Sequence, residues 1–102
     1  MIQELKGRTK ELAELCRQHH VKRLDVFGSA SVGNFDPPRS DLDFLVIFES
    51  LPPREHADAY FGLHAKLQEL FRRDVDLVEW AAIKNPYFLE AVEESRSPIY
   101  GA

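Results

Sequence analysis

A single cysteine, Cys16, leaves this 102-residue chain unable to form an internal disulfide and fits a reducing compartment. No apolar stretch approaches the roughly 18 residues of a membrane span, and no secretory hydrophobic region follows Met1. The expected location is therefore the cytoplasm, with no membrane contact. Positive charge is also scarce. The 13 Lys and Arg are outnumbered by 17 Asp and Glu, and the formal net charge of −4 argues against direct nucleic-acid binding, which calls for a basic face. Repeats, low-complexity runs and linkers are absent too, so the chain reads as one domain over 1–102. With 44% of residues hydrophobic and 29% charged, it has enough apolar material for one core.

The hydrophobic pattern gives the order of elements. Ile2, Leu5, Leu12, Leu15 and Cys16 recur at helical spacing among Glu, Lys and Arg, which predicts an amphipathic helix over 2–19. Val21 to Phe27 alternates as a strand and stops at Gly28. Residues 29–40 contain Gly33, Asn34, Pro37 and Pro38 and read as a short helical turn followed by a loop. Asp41 to Phe48 is a second strand whose apolar run suits a central position, buried on both faces. A helix over 54–72 follows the Leu51-Pro52-Pro53 break, carrying Ala57, Tyr60, Phe61, His64, Leu67 and Phe71. Asp74 to Trp80 forms a third strand, Pro86 opens a helix over 86–95, and Ile99-Tyr100 adds a short last strand. The fold class is α/β, a small mixed sheet flanked by helices. Too little chain joins strands one and two for a crossover, so they should be antiparallel, whereas the helix between strands two and three permits a parallel pair.

The chemistry is concentrated in Gly28-Ser29, then eleven residues, then Asp41-Leu42-Asp43 at the head of the second strand. Side chains two apart in a strand share a face, so Asp41 and Asp43 project together. Unpaired carboxylates are costly beside so apolar a run, and a cation between them would remove that cost. Mg²⁺ prefers hard oxygen ligands and combines one or two carboxylates with substrate phosphates. Gly28 allows close backbone approach, and Ser29 can cap a helix whose free N–H groups attract anions. Asp76, in the third strand, is the candidate third carboxylate. Three such groups can hold two Mg²⁺ ions, and Asp76 can accept the proton of an attacking hydroxyl. Any one of these Asp residues alone reads more readily as a turn former. The ordered set with Gly-Ser does not.

Other residues carry less chemistry. His19 and His20 end the first helix, where His suits the dipole. His56 and His64 lie two helical turns apart and have no evident partner, so a structural role is expected. Cys16 falls on the apolar stripe. Trp80, Tyr87 and Phe88 are expected to pack around the last helix, with a partner-facing patch as the alternative, and Glu79, at an odd offset from Asp76, should face the other side of the sheet.

GSASVGNFDPPRSDLDFLVIF together with VDLVEW resembles the DNA polymerase beta-like nucleotidyltransferase superfamily, most closely its minimal nucleotidyltransferase (MNT) branch, over nearly the whole chain. The resemblance implies the polymerase beta-like fold, with Gly28 and Ser29 at the nucleotide phosphates. It also implies that Asp41 and Asp43 ligate metal and that Asp76 completes the triad. Mg²⁺ and ATP follow as cofactor and substrate, with AMP passed to a hydroxyl. In the pairs this branch forms with HEPN-domain toxins, the small transferase is the antitoxin and adenylylates a tyrosine of its partner. The sequence departs from Gly-Ser-x-Ala-Arg-Gly at Val32, where the Arg would stand, and Arg39 is the candidate substitute, since Arg suits phosphate recognition. An aminoglycoside-like small-molecule transferase and a non-catalytic, contact-acting antitoxin stay open as alternatives, as does homo-oligomerisation.

Overall fold

Gly7 is a poor helix former, about 1 kcal/mol below Ala, and the first amphipathic stretch breaks there rather than running unbroken over 2–19. The structure, a computed structural model, describes residues 3–28 and 42–101. Helix α1 (Gln3–Lys6) and helix α2 (Thr9–Gln18) flank the break, which lets Leu5 and Leu12 both reach full burial. Strand β1 (Val21–Phe27) follows, then β2 (Leu42–Phe48), helix α3 (Pro53–Phe71) and β3 (Val75–Glu79). A 3-10 turn (Trp80–Ala82), helix α4 (Pro86–Ser95) and β4 (Ser97–Tyr100) complete the order. The turn and loop expected over 29–40, with Ser29, Val32, Arg39 and Asp41, lie outside the described residues.

The sheet is mixed, in the order β3-β2-β1-β4. β1 pairs antiparallel with β2, as its short connection led one to expect, and also with β4; β3 lies parallel to β2, which the intervening helix permits. β4 is the short outer strand and contains Pro98, which has no N–H to offer. Immediately after it, Gly101 has φ +79, and a Cβ there would stand 2.2 Å from the Lys22 carbonyl oxygen, so only glycine fits.

Strand alternation divides the core in two. Leu24 and Val26, then Leu42, Phe44 and Val46, then Val75 and Leu77 face α1, α2 and α3, whose Leu12, Cys16, Leu63 and Leu67 close that side. Phe44 stacks on Phe71 at 6.0 Å. The opposite face holds a smaller cluster of Phe27, Leu45 and Val92 beneath α4, with Val78, Trp80 and Ile83 at its edge.

The expectation that Tyr87 and Phe88 pack as core fails. Tyr87 is 82% exposed and Phe88 41%. Asn85 caps α4 through Oδ1, which accepts from the amides of Tyr87 and Phe88, and this places both in the first turn, beyond the cluster centred on Val92. Phe88, four residues before Val92, still meets Phe27 edge-on at 6.0 Å. Trp80 is half-buried.

Cys16 is fully buried, and burial pushes its thiol up to about 12 from 9.0. Iodoacetamide is expected to label it only after denaturant unfolds the chain. Above about 9 the unfolded thiol ionises while the folded one stays neutral, so stability relative to Cys16→Ala should fall as pH rises toward 12. Rapid labelling of the folded protein would contradict the burial.

Candidate active site at the end of strands β1 and β2

Parallel pairing of β2 with β3 sets Asp43 beside Asp76, and antiparallel pairing of β1 with β2 sets Phe27 opposite Asp43. Because Leu42, Phe44, Val75 and Leu77 turn toward α3, the two carboxylates between them project from the other face. Asp43 is half-buried and Asp76 exposed. Directly opposed like charges on neighbouring strands are unfavourable. The arrangement therefore suits a cation held by both.

Gly28 fits this geometry closely. Its φ is +72, and a Cβ would lie 2.9 Å from Asp43 Oδ2. The glycine is needed both for the left-handed turn and for the carboxylate beside it. Its amide donates to Ser95 Oγ at 3.0 Å, and that hydroxyl donates in turn to the Ala91 carbonyl at 3.1 Å. What Gly28 offers a ligand is space, since its N–H is committed to α4.

Of the six expected site residues, the structure brings together Gly28, Asp43 and Asp76. Ser29, Arg39 and Asp41 lie outside the described residues. Among the described residues no group of three His, Cys, Asp or Glu is placed to hold a metal.

Asp25 went unnoticed in the sequence. It is 1% exposed, on the same sheet face as Phe27. Arg23 Nε donates to its Oδ1 at 3.1 Å, and Arg96 Nε lies 3.7 Å from Oδ2. The Arg96 guanidinium sits 5.1 Å from the centre of the Trp80 ring and 3.5 Å from Glu93. With two arginines on its charge, Asp25 ties β1 to the end of α4 instead of serving as a ligand. An Asp inside an otherwise apolar strand end was the available signal.

A groove of 790 Å³ between α2 and α3, lined by residues such as Glu4, Glu14, Lys66 and Arg72, involves neither Asp43 nor Asp76. Its lining mixes four Glu with Arg8, Lys66 and Arg72.

The family model described as "Nucleotidyltransferase domain" matches residues 9–99. The chain belongs to that family. A protein from Methanocaldococcus jannaschii, named "Putative protein adenylyltransferase MJ0128", is 34% identical over 94 residues, covering 91% of this chain and 92% of its own length. A solved structure described as a "putative minimal nucleotidyltransferase" is 32% identical, covers 92% of this chain and 91% of its own, and superposes with a TM-score of 0.68. It places this nucleotidyltransferase in the minimal branch. The fold alone is shared with a complex of a tri-AMPylated Shewanella oneidensis HEPN toxin with MNT antitoxin, at TM-score 0.65 and 21% identity over 96% of this chain and 73% of that one.

Among the described residues no helix is long and apolar enough to cross a membrane.

Proposed function

We propose that this nucleotidyltransferase is a cytoplasmic, Mg²⁺-dependent protein adenylyltransferase. As a single domain over 1–102, it moves AMP from ATP to a tyrosine of a HEPN-type toxin and so acts as an antitoxin. The observation that carries the reading is the register that sets Asp43 against Asp76, with Gly28 leaving room for the Asp43 carboxylate. Paired carboxylate oxygens on an open sheet face fit Mg²⁺, which is hard and oxygen-seeking. Asp41, Asp43 and Asp76 would hold it, and when bound it would stabilise charge on the phosphates and the leaving pyrophosphate. Gly28 and Ser29, with Arg39, would receive the triphosphate. The tyrosine oxygen forms a bond to the α-phosphorus as the bond to the pyrophosphate oxygen breaks, and its proton passes to an Asp76 carboxylate oxygen. Support for the adenylyl group and the protein acceptor comes from the name of the Methanocaldococcus jannaschii relative and the AMPylated toxin complex.

The test uses ATP labelled at the α-phosphate, Mg²⁺ and extract of the source cells. Label on one protein band, mapped to tyrosine and lost with EDTA, is the expected result. Label only on a small molecule would overturn the protein acceptor in favour of an aminoglycoside-like activity. Absence of transfer alongside Mg²⁺-dependent ATP binding would leave an antitoxin that acts by contact.

A further inference from the structure

Among the described residues the third strand has a neighbouring strand on one side only. β3 ends the sheet order, so one row of its backbone groups points away from β2. In a parallel ladder, alternate residues turn their N–H and C=O to opposite sides. Asp74 belongs to the inner row, since its carbonyl accepts from the Leu42 amide at 3.3 Å. Val75 and Leu77 belong to the outer row, and α3 meets them there. His64 Nε2 donates to the Val75 carbonyl at 2.7 Å, and Tyr60 Oη donates to the Leu77 carbonyl at 2.6 Å. Gln68 Oε1 accepts from the Val75 amide at 3.4 Å, and His56 pairs with the Glu79 side chain.

These four residues are spaced i, i+4, i+8 and i+12, one stripe of α3. The match to the strand follows from geometry. Four helical residues advance about 6 Å along the axis, and two strand residues advance about 6.6 Å. A stripe of helical period four therefore stays in step with every second residue of an adjacent strand. Here the helix runs 56 to 68 as the strand runs 79 to 75.

The residue between the two gripped carbonyls is Asp76. Val75 and Leu77 are held twice, by side chains buried against the α3 core and by carbonyls bonded to its polar stripe. Their common orientation leaves Asp76 on the opposite face, at the height of Asp43. We infer that Tyr60 and His64 are positioning residues for Asp76, clamping the carbonyls on either side of it so that its carboxylate stays in register with that of Asp43. The inference rests on the role proposed for Asp76. Burial, with the charges of Glu79 and Asp76 behind it, raises the Tyr60 phenol above its ordinary value, so the hydroxyl remains a donor throughout the neutral range.

The test reads Mn²⁺ binding to the whole protein by water-proton relaxation in the presence of a non-hydrolysable ATP analogue. Amide hydrogen exchange at Asp76, Leu77 and Val78 is followed in parallel. Tyr60→Phe removes one hydroxyl, and His64→Leu removes one donor. Each is expected to weaken Mn²⁺ binding roughly fivefold, the worth of one hydrogen bond, and to speed exchange in β3. His64→Gln keeps an N–H donor and should bind Mn²⁺ within about twofold of the parent. It keeps the inference testable where His64→Leu fails to fold. If Asp76→Asn abolishes Mn²⁺ binding while Tyr60→Phe and His64→Leu bind it like the parent, the positioning role is overturned and the ligand role of Asp76 stands. Faster β3 exchange in those two variants would not rescue the role, because the contacts would then serve the fold alone. If Asp76→Asn itself binds Mn²⁺ and transfers AMP normally, the reading of Asp76 fails and the inference falls with it.

Discussion

Asp43→Asn is expected to reduce AMP transfer by about a thousandfold or more while leaving the chain folded. The side chain stands where three constraints meet: opposite Phe27 on β1, beside Asp76 on β3, and 2.9 Å from the place a Gly28 Cβ would occupy. Asparagine has nearly the same shape, so packing at this crowded point survives. What it loses is the negative charge and one oxygen that a hard cation needs. The same loss relieves like-charge repulsion across the β2–β3 pair, worth about 0.2–1 kcal/mol. The variant should thus melt at or slightly above the parent temperature. Label transfer and thermal unfolding measured on one preparation separate the two effects. Full activity in Asp43→Asn would end the carboxylate–metal account of this site.

The second large effect concerns stability. Asp25→Asn is expected to cost about 2–3 kcal/mol, read as the shift in urea midpoint. Removing one member of a buried ion pair typically costs about 3–5 kcal/mol, because the other charge is left without its partner. The figure here is lower because Arg23 and Arg96 keep 25% and 23% of their side-chain surface and regain water when released. For a domain of this size the loss corresponds to a fall in melting temperature of about 10–20 °C. Asp25 is not placed as a ligand, so transfer measured well below the new melting point should persist. A midpoint unchanged within about 0.5 kcal/mol would show that the cluster is worth no more than a surface pair.

Asp25 also shows what the sequence could and could not reveal. The apolar run of β2 announced a central strand, and the chain lengths between elements pointed to an antiparallel β1–β2 pair and permitted a parallel β2–β3 pair. Because side chains alternate in strands, the faces of Asp43, Asp76 and Glu79 followed from parity alone. No such rule links Asp25 to Arg96, whose meeting depends on how β4 returns beside β1. The partners of His56 and His64 were hidden for a similar reason. Helical spacing tells which residues share a stripe, but the strand beneath that stripe is settled only by the crossover. The break at Gly7 was not read from the sequence, because Leu5 and Leu12 keep one helical period across it. Tyr87 and Phe88 misled because bulk and apolarity were read as depth, when a capped first turn carried them past the end of the cluster.

Both margins of the sheet are blunted, though by different means. On the β3 side the polar stripe of α3 occupies the outward carbonyls. On the β4 side the strand has only four residues and includes Pro98, which has no N–H to offer. Sheets with free rims invite other chains to add strands, the route to domain swapping and fibrils. Among the described residues neither margin offers such a template. At these margins a second chain would meet side chains rather than open backbone.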